Sequence, residues 1–210
     1  MRAKIGVVAI MCFVLLSGCG NGAQQRAASK GDSQQQYAQF AKWGLSFDYP
    51  KEWREHPADR VGAMKDYMAR ELDQYGRHLQ ELAILVGPND EVALIVSKYT
   101  TPVPMTPSEF IEERNRVYAD AQRAGDVTKV NLVKEETLAK LPAIEEDVER
   151  SNGGRGRTYK LIDGVVVFEI SFIVNDASQF PKYSDMLDHL VSNMTVAETS
   201  ERPDSLPGRR

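Results

Sequence analysis

Arg155-Gly156-Arg157-Thr158-Tyr159-Lys160-Leu161-Ile162-Asp163-Gly164-Val165-Val166-Val167-Phe168-Glu169-Ile170-Ser171-Phe172-Ile173-Val174 decides the fold of this 210-residue chain. Asp163-Gly164 supplies the positive-φ residues of a tight hairpin between two β-rich runs, 155–162 and 165–174. In the second run Val166, Phe168, Ile170, Phe172 and Val174 fall on one face at period two, which predicts a central, covered strand. Just upstream, Asn152-Gly153-Gly154 offers a second hairpin turn, and 143–151 and 130–134 are further strand candidates. Strands joined by such short turns run antiparallel.

Outward from this meander the pattern changes period. Phe180, Tyr183, Leu187, Leu190 and Met194 predict a closing helix over 178–193. Toward the N-terminus, Thr106-Pro107-Ser108-Glu109 has an N-cap, a proline for the first turn and a capping-box glutamate. Phe110, Ile111, Val117 and Ala121 give that helix its buried stripe and Gly125 ends it. Residues 83–86 and 92–99 flank Gly87-Pro88-Asn89-Asp90 as another hairpin. Met64, Met68, Leu72, Tyr75 and Leu79 predict an amphipathic helix over 59–79, and Leu45, Phe47 and Tyr49 share one face of a strand ended by Pro50. The expected class is α+β, a mainly antiparallel sheet flanked by helices.

The two ends read differently. Arg2 and Lys4 precede an apolar run from Ile5 to Leu16, too short for the roughly 20 residues a spanning helix needs. It closes in Leu16-Ser17-Gly18-Cys19, similar to the lipobox of bacterial lipoproteins, with cleavage between Gly18 and Cys19 and lipid on the Cys19 sulfur. The expected layout is a signal peptide over 1–18, a lipidated cysteine and flexible tether over 19–40, one domain over 41–196 and a disordered tail over 197–210. Gly20 rather than Asp after the cysteine resembles sorting to the outer membrane in a Gram-negative cell, facing the periplasm. Two or three acyl chains hold firmly, because each buried CH₂ contributes about 0.8 kcal/mol.

Composition excludes several kinds of chemistry. The chain has two cysteines. Cys12 leaves with the signal peptide and Cys19 becomes a thioether, so the mature domain has no disulfide and no thiolate. Cleavage moves the net charge from −4 to −6, which does not favour nucleic acid. His56, His78 and His189 show no helical or strand metal-ligand spacing, so no metal and no cofactor are expected. Glu112-Glu113, Glu135-Glu136 and Glu145-Glu146-Asp147 read as solvated faces, with outward carboxylates from Glu145 to Glu149 discouraging edge pairing. No Gly-x-Ser-x-Gly elbow occurs, and the expectation is a protein that is not an enzyme. As possible contacts for a ligand or partner, Trp53 belongs to an aromatic run with Trp43, Phe47 and Tyr49, while Arg155 and Arg157 flank a glycine-rich turn able to clamp a carboxylate or phosphate.

Gly44-Leu45-Ser46-Phe47-Asp48-Tyr49-Pro50-Lys51-Glu52-Trp53 resembles the opening strand of PsbP-like and DcrB-like proteins. Leu141-Pro142-Ala143, the Asp163-Gly164 hairpin, and a last helix running into Thr195-Val196 resemble later features of the same group, so the similarity spans about Ala41 to Val196. It implies a sheet-and-helix scaffold that docks on other proteins, in a group whose members are mostly non-enzymatic. The lipobox favours the bacterial lipoprotein branch, and with it a membrane-anchored scaffold for an envelope protein. The alternatives are an envelope lipoprotein that binds a small ligand or metal, and an immunity or chaperone protein for a secreted toxin.

Overall fold

Apolar residues at period two line both faces of the central strands, so this sheet must be covered on both sides. The computed structural model describes residues 37–197. The residues read as signal peptide, Cys19 and most of the tether lie outside the described part, as does the tail from residue 198.

Two antiparallel sheets form. A small one pairs β1 (Tyr37–Lys42), β2 (Leu45–Pro50) and β10 (Thr195–Val196) in the order β1-β2-β10. The large one has seven strands: β3 (Arg54–Glu55), β4 (His78–Val86), β5 (Val92–Thr100), β6 (Val127–Leu138), β7 (Leu141–Arg150), β8 (Arg155–Asp163) and β9 (Val166–Val174). Their order is β3-β4-β5-β9-β8-β7-β6, which places β9 in the middle, as its unbroken apolar face predicts. Three α-helices complete the fold: α1 (Ala58–Asp73), α2 (Pro107–Ala124) and α3 (Ser184–Ser192).

The two faces of the large sheet are covered by different material. Val166, Phe168, Ile170, Phe172 and Val174 meet the small sheet, Phe180 and α3 in one core, with Phe47, Leu187 and Leu190 fully buried. Each such aromatic or leucine contributes about 2–3 kcal/mol of burial. On the opposite face α1 lies against β4, and α2 against β6 and β7. Met64, Met68 and Leu72 of α1 and Phe110 of α2 join one apolar cluster there, while Tyr118 and Ala121 of α2 join another with Val127 and Val148. α1 and α2 thus flank one face, while the second sheet and α3 occupy the other.

α2 begins as its sequence dictates: the Thr106 hydroxyl accepts from the Glu109 backbone N–H and the Glu109 carboxylate accepts from that of Thr106. Gly125 ends it at φ 81.

Four local expectations are corrected. The first helix stops at Asp73 rather than 79, because Gly76 at φ 67 turns the chain and the Arg77 N–H donates to the Leu72 carbonyl. Leu79 is buried in β4 instead. The closing helix is divided: a 3₁₀ segment, Ala177–Tyr183, contains Pro181 and only then does α3 start. Strand β1 begins at Tyr37, inside the stretch read as tether, because Phe40 stacks on Phe47 at 4.8 Å and backbone pairing with β2 holds the rest. Finally, β7 is not an edge. It lies between β6 and β8, and Glu145, Glu146 and Asp147 are buried rather than solvated.

Candidate functional site

Directly opposed residues on antiparallel strands share a face, so the register shows what lies beneath the helices. Ser97 of β5 faces Glu169 of β9, Glu169 faces Lys160 of β8, Thr158 faces Ser171, and Glu146 of β7 faces Thr158. A polar band therefore crosses the middle of the sheet under the helical layer. Because α1 sits over β4 and α2 over β6 and β7, the band lies between them at the floor of a groove.

The groove encloses about 70 Å³. Its floor includes Ile95 and Tyr99 of β5, Glu169, Ser171 and Ile173 of β9, and Gly156, Thr158 and Lys160 of β8. Met68 and Leu72 of α1 form one wall; Glu113, Arg114, Val117 and Tyr118 of α2 form the other. Arg77 and Arg150 also line it.

Glu146 anchors the charges. Its carboxylate accepts from Arg114 Nε at 3.0 Å, Lys160 Nζ at 2.9 Å and the Tyr118 hydroxyl. Burial alone would push this carboxyl up; Arg114 and Lys160, with the hydrogen bonds from Tyr118 and Lys160, outweigh burial and hold it at about 2. Lys160 also lies 3.4 Å from Glu169. Nearer α1, Arg77 Nη2 donates to Glu113 at 2.6 Å and lies over the Phe110 ring.

Not every polar group of this layer is satisfied: on β5 both the Ser97 and Tyr99 hydroxyls are buried without a hydrogen-bond partner among the described residues. Burial pushes the Tyr99 pKa well up and Glu169 adds to that, while Arg77 and Arg114 oppose it; the hydroxyl sits within reach of the groove's charges. Leaving such a hydroxyl unpaired costs about 1–3 kcal/mol.

The sequence-selected residues lie on the opposite face. Arg155 donates to Asp147 from Nε at 2.8 Å and from Nη2 at 2.9 Å, and Arg157 Nη2 reaches the same carboxylate at 2.8 Å. Both guanidiniums lie over the Phe180 ring, at 4.1 and 5.1 Å. The carboxylate they clamp is the chain's own. Burial raises the Asp147 pKa, but bonds from Arg155, Asn131 and Arg157 outweigh it and lower the pKa overall.

Trp53 is buried, stacks near Phe172 at 6.3 Å and packs over Gly87, where a Cβ would lie 2.4 Å from Val92 Cγ1 and 3.3 Å from the indole. Phe172 in turn meets Phe180 at 5.6 Å, so Trp53 reaches the arginine pair only through two rings. Cys19 and Gly18 lie outside the described residues. His56, His78 and His189 do not gather, and no group of three or more metal-binding side chains occurs among the described residues.

No local pattern in the sequence marks the groove as a whole, because its residues come from segments far apart along the chain. The usable signal was local: Lys160, Glu169 and Ser171 interrupt the apolar alternation of two otherwise covered strands.

Among solved structures, the solution structure of cyanobacterial PsbP (CyanoP) from Synechocystis matches with a TM-score of 0.51 at 13% identity, covering 83% of this chain and 99% of that one. LpqN of Mycobacterium tuberculosis, described as involved in cell envelope biogenesis, matches with a TM-score of 0.48 at 12% identity, over 77% of this chain and 91% of that one. No family model and no curated protein match the chain. The fold is PsbP-like.

Proposed function

We propose, from a PsbP-like α+β fold carried behind a lipobox, that this chain is a bacterial envelope lipoprotein tethered through Cys19, whose domain is a non-catalytic binding or scaffolding module for another envelope protein. The address rests on Leu16-Ser17-Gly18-Cys19. No helix among the described residues is long and apolar enough to cross a membrane, which fits anchoring by lipid.

One feature supports the non-catalytic reading: among the described residues, each carboxyl, tyrosine, lysine and arginine whose pKa is displaced is displaced away from neutrality. Carboxyls Glu109, Glu146, Asp147 and Asp176 are lowered, and tyrosines Tyr37, Tyr99, Tyr118, Tyr159 and Tyr183 are raised. Lys134, Arg114 and Arg157 are raised as well. A carboxyl, tyrosine or lysine acting as general acid or base near neutral pH needs the opposite displacement. The causes are structural: cations and hydrogen bonds outweigh burial at Glu146 and Asp147, hydrogen bonds from Thr106 and Ser178 hold down the exposed Glu109 and Asp176, and desolvation raises the tyrosines.

The test is crosslinking in living cells followed by capture of the tagged chain from membranes. The expected result is a specific protein enriched over an unrelated domain carrying the same lipid anchor, and lost when Cys19→Ala leaves the chain unanchored. Equal recovery with the anchor control would refute docking, and normal membrane fractionation of Cys19→Ala would refute the address. The polar groove favours a second reading, in which the domain takes a small ligand.

A further inference from the structure

We propose that Pro102-Val103-Pro104 and Val165 form a rigid apolar knob that seats in an apolar cleft, edged by lysine or arginine, on the protein to which this domain docks. The inference rests on the docking reading above and names the surface that does the docking.

The knob is built and then left open. Val103 is 60% exposed and Val165 37%, the only exposed large apolar side chains among the described residues. They are also neighbours, although more than sixty residues separate them. Val103 follows the end of β5 and Val165 sits in the β8–β9 turn. The buried Thr101 joins them: its N–H donates to the Val165 carbonyl at 2.8 Å and its hydroxyl to the Val103 carbonyl at 2.7 Å. Prolines on both sides of Val103 fix φ, and Pro102 lies over Gly76, 3.7 Å from where a Cβ would stand. Surface valines scattered singly need no explanation. These two share one stiffened platform, so binding through them costs little ordering entropy.

The surrounding charge says what covers the knob. Asp73 is exposed beside it, its carbonyl accepting from the Gly76 N–H; Asp163 leads into the turn that carries Val165, and Glu109 stands in the first turn of α2. The cations of this end are spent or set apart. Arg77 is buried on Glu113, Lys98 reaches the Trp43 carbonyl on the other face of the sheet, and Lys140 lies on the next turn, beyond β8. An acidic fringe repels anionic headgroups and a second copy bringing the same knob, and it attracts a basic rim. The knob also lies away from where the chain arrives. Tyr37 pairs with Pro50, and just beyond it Arg54 pairs with Val86, whereas Val103 follows Thr100 at the other end of β5. A domain tethered through Cys19 thus carries the knob at the end opposite its point of attachment.

The experiment places photoreactive benzoylphenylalanine in the full chain in living cells, in place of Val103 or Val165. The control position is Ser178, exposed beyond the far end of β9. The expected result is one protein adduct from 103 and 165 and none from 178, with Lys or Arg beside the crosslinked site of the partner by mass spectrometry. In the chain labelled at 103, Val165→Asp should cut the adduct about tenfold and Asp73→Lys about threefold. Both side chains are exposed, so the melting temperature should stay unchanged in each. A melting temperature that falls in step with the adduct would overturn the proposal, as would an adduct undiminished by Asp73→Lys. An adduct to a second copy, to lipid or to the chain's own 198–210 segment would overturn it too. If general crosslinking still captures a specific partner while 103 and 165 give no adduct, the knob is refuted and docking stands; if neither finds one, both are refuted.

Discussion

Glu146→Gln tests how the polar band contributes to stability. In the wild-type chain the carboxyl sits at about 2, against an ordinary 4.5. That gap is worth about 3 kcal/mol, taking about 1.4 kcal/mol for each pH unit. Folding lowers this pKa, so the unfolded chain binds the extra proton between those two pH values. The stabilisation is therefore complete above pH 4.5 and is lost as pH falls through about 2. At about pH 7 the glutamine also leaves Arg114 and Lys160 facing Glu169 alone, and one-sided removal of a buried charge costs about 3–5 kcal/mol. Urea unfolding followed by circular dichroism should show a midpoint lowered by about 1.5–2.5 M, for a slope of about 2 kcal/mol per molar. The difference between the two proteins should shrink steadily below about pH 4. Replacing Glu146, Arg114, Lys160 and Glu169 together by apolar residues of similar size should recover most of the loss, since apolar replacement of a whole buried ion cluster is neutral or stabilising. Equal midpoints at neutral pH, or a difference that persists unchanged to about pH 2.5, would refute the reasoning.

Three further outcomes are expected. Asp147→Asn leaves the Arg155 and Arg157 guanidiniums without their shared carboxylate and should cost about 2 kcal/mol in denaturant unfolding at neutral pH. Thr106→Ala removes the hydroxyl half of the α2 capping box and should cost about 1 kcal/mol, read from the same unfolding curves. Ala139 and Lys140 hold positive φ, 51 and 65, in the two-residue turn between β6 and β7. Replacing them with Asn-Gly should raise stability by about 1 kcal/mol and the melting temperature with it, because this turn favours residues that adopt left-handed backbone freely.

That last turn shows how far the sequence carries. Asp163-Gly164 and Asn152-Gly153-Gly154 announce their hairpins because glycine tolerates positive φ. Ala139-Lys140 does not, because the strands force the same geometry on residues that disfavour it. The apolar period likewise runs past the end of the first helix. Tyr75 and Leu79 continue the 3.6-residue pattern, but Gly76 and the Arg77–Leu72 hydrogen bond redirect the chain before the period fails.

The sequence by itself determined the α+β class, the central place of β9, and both ends of α2. These are local properties: alternation of apolar residues, the Thr106–Glu109 box, and Gly125. The glycine-rich turn offers Arg155 and Arg157 as a clamp for the carboxylate or phosphate of a ligand or partner; pairing across the strands instead sets both guanidiniums on the chain's own Asp147. Tertiary structure decided where the charged residues of β7, β8 and β9 go. Glu145-Glu146-Asp147 reads as solvated surface because a lone carboxylate avoids burial. Buried, it needs cations, and Arg114, Lys160, Arg155 and Arg157 come from other strands and from α2. The groove exists for the same reason: α1 and α2 settle on opposite flanks of the sheet, and no single segment encodes the gap between them.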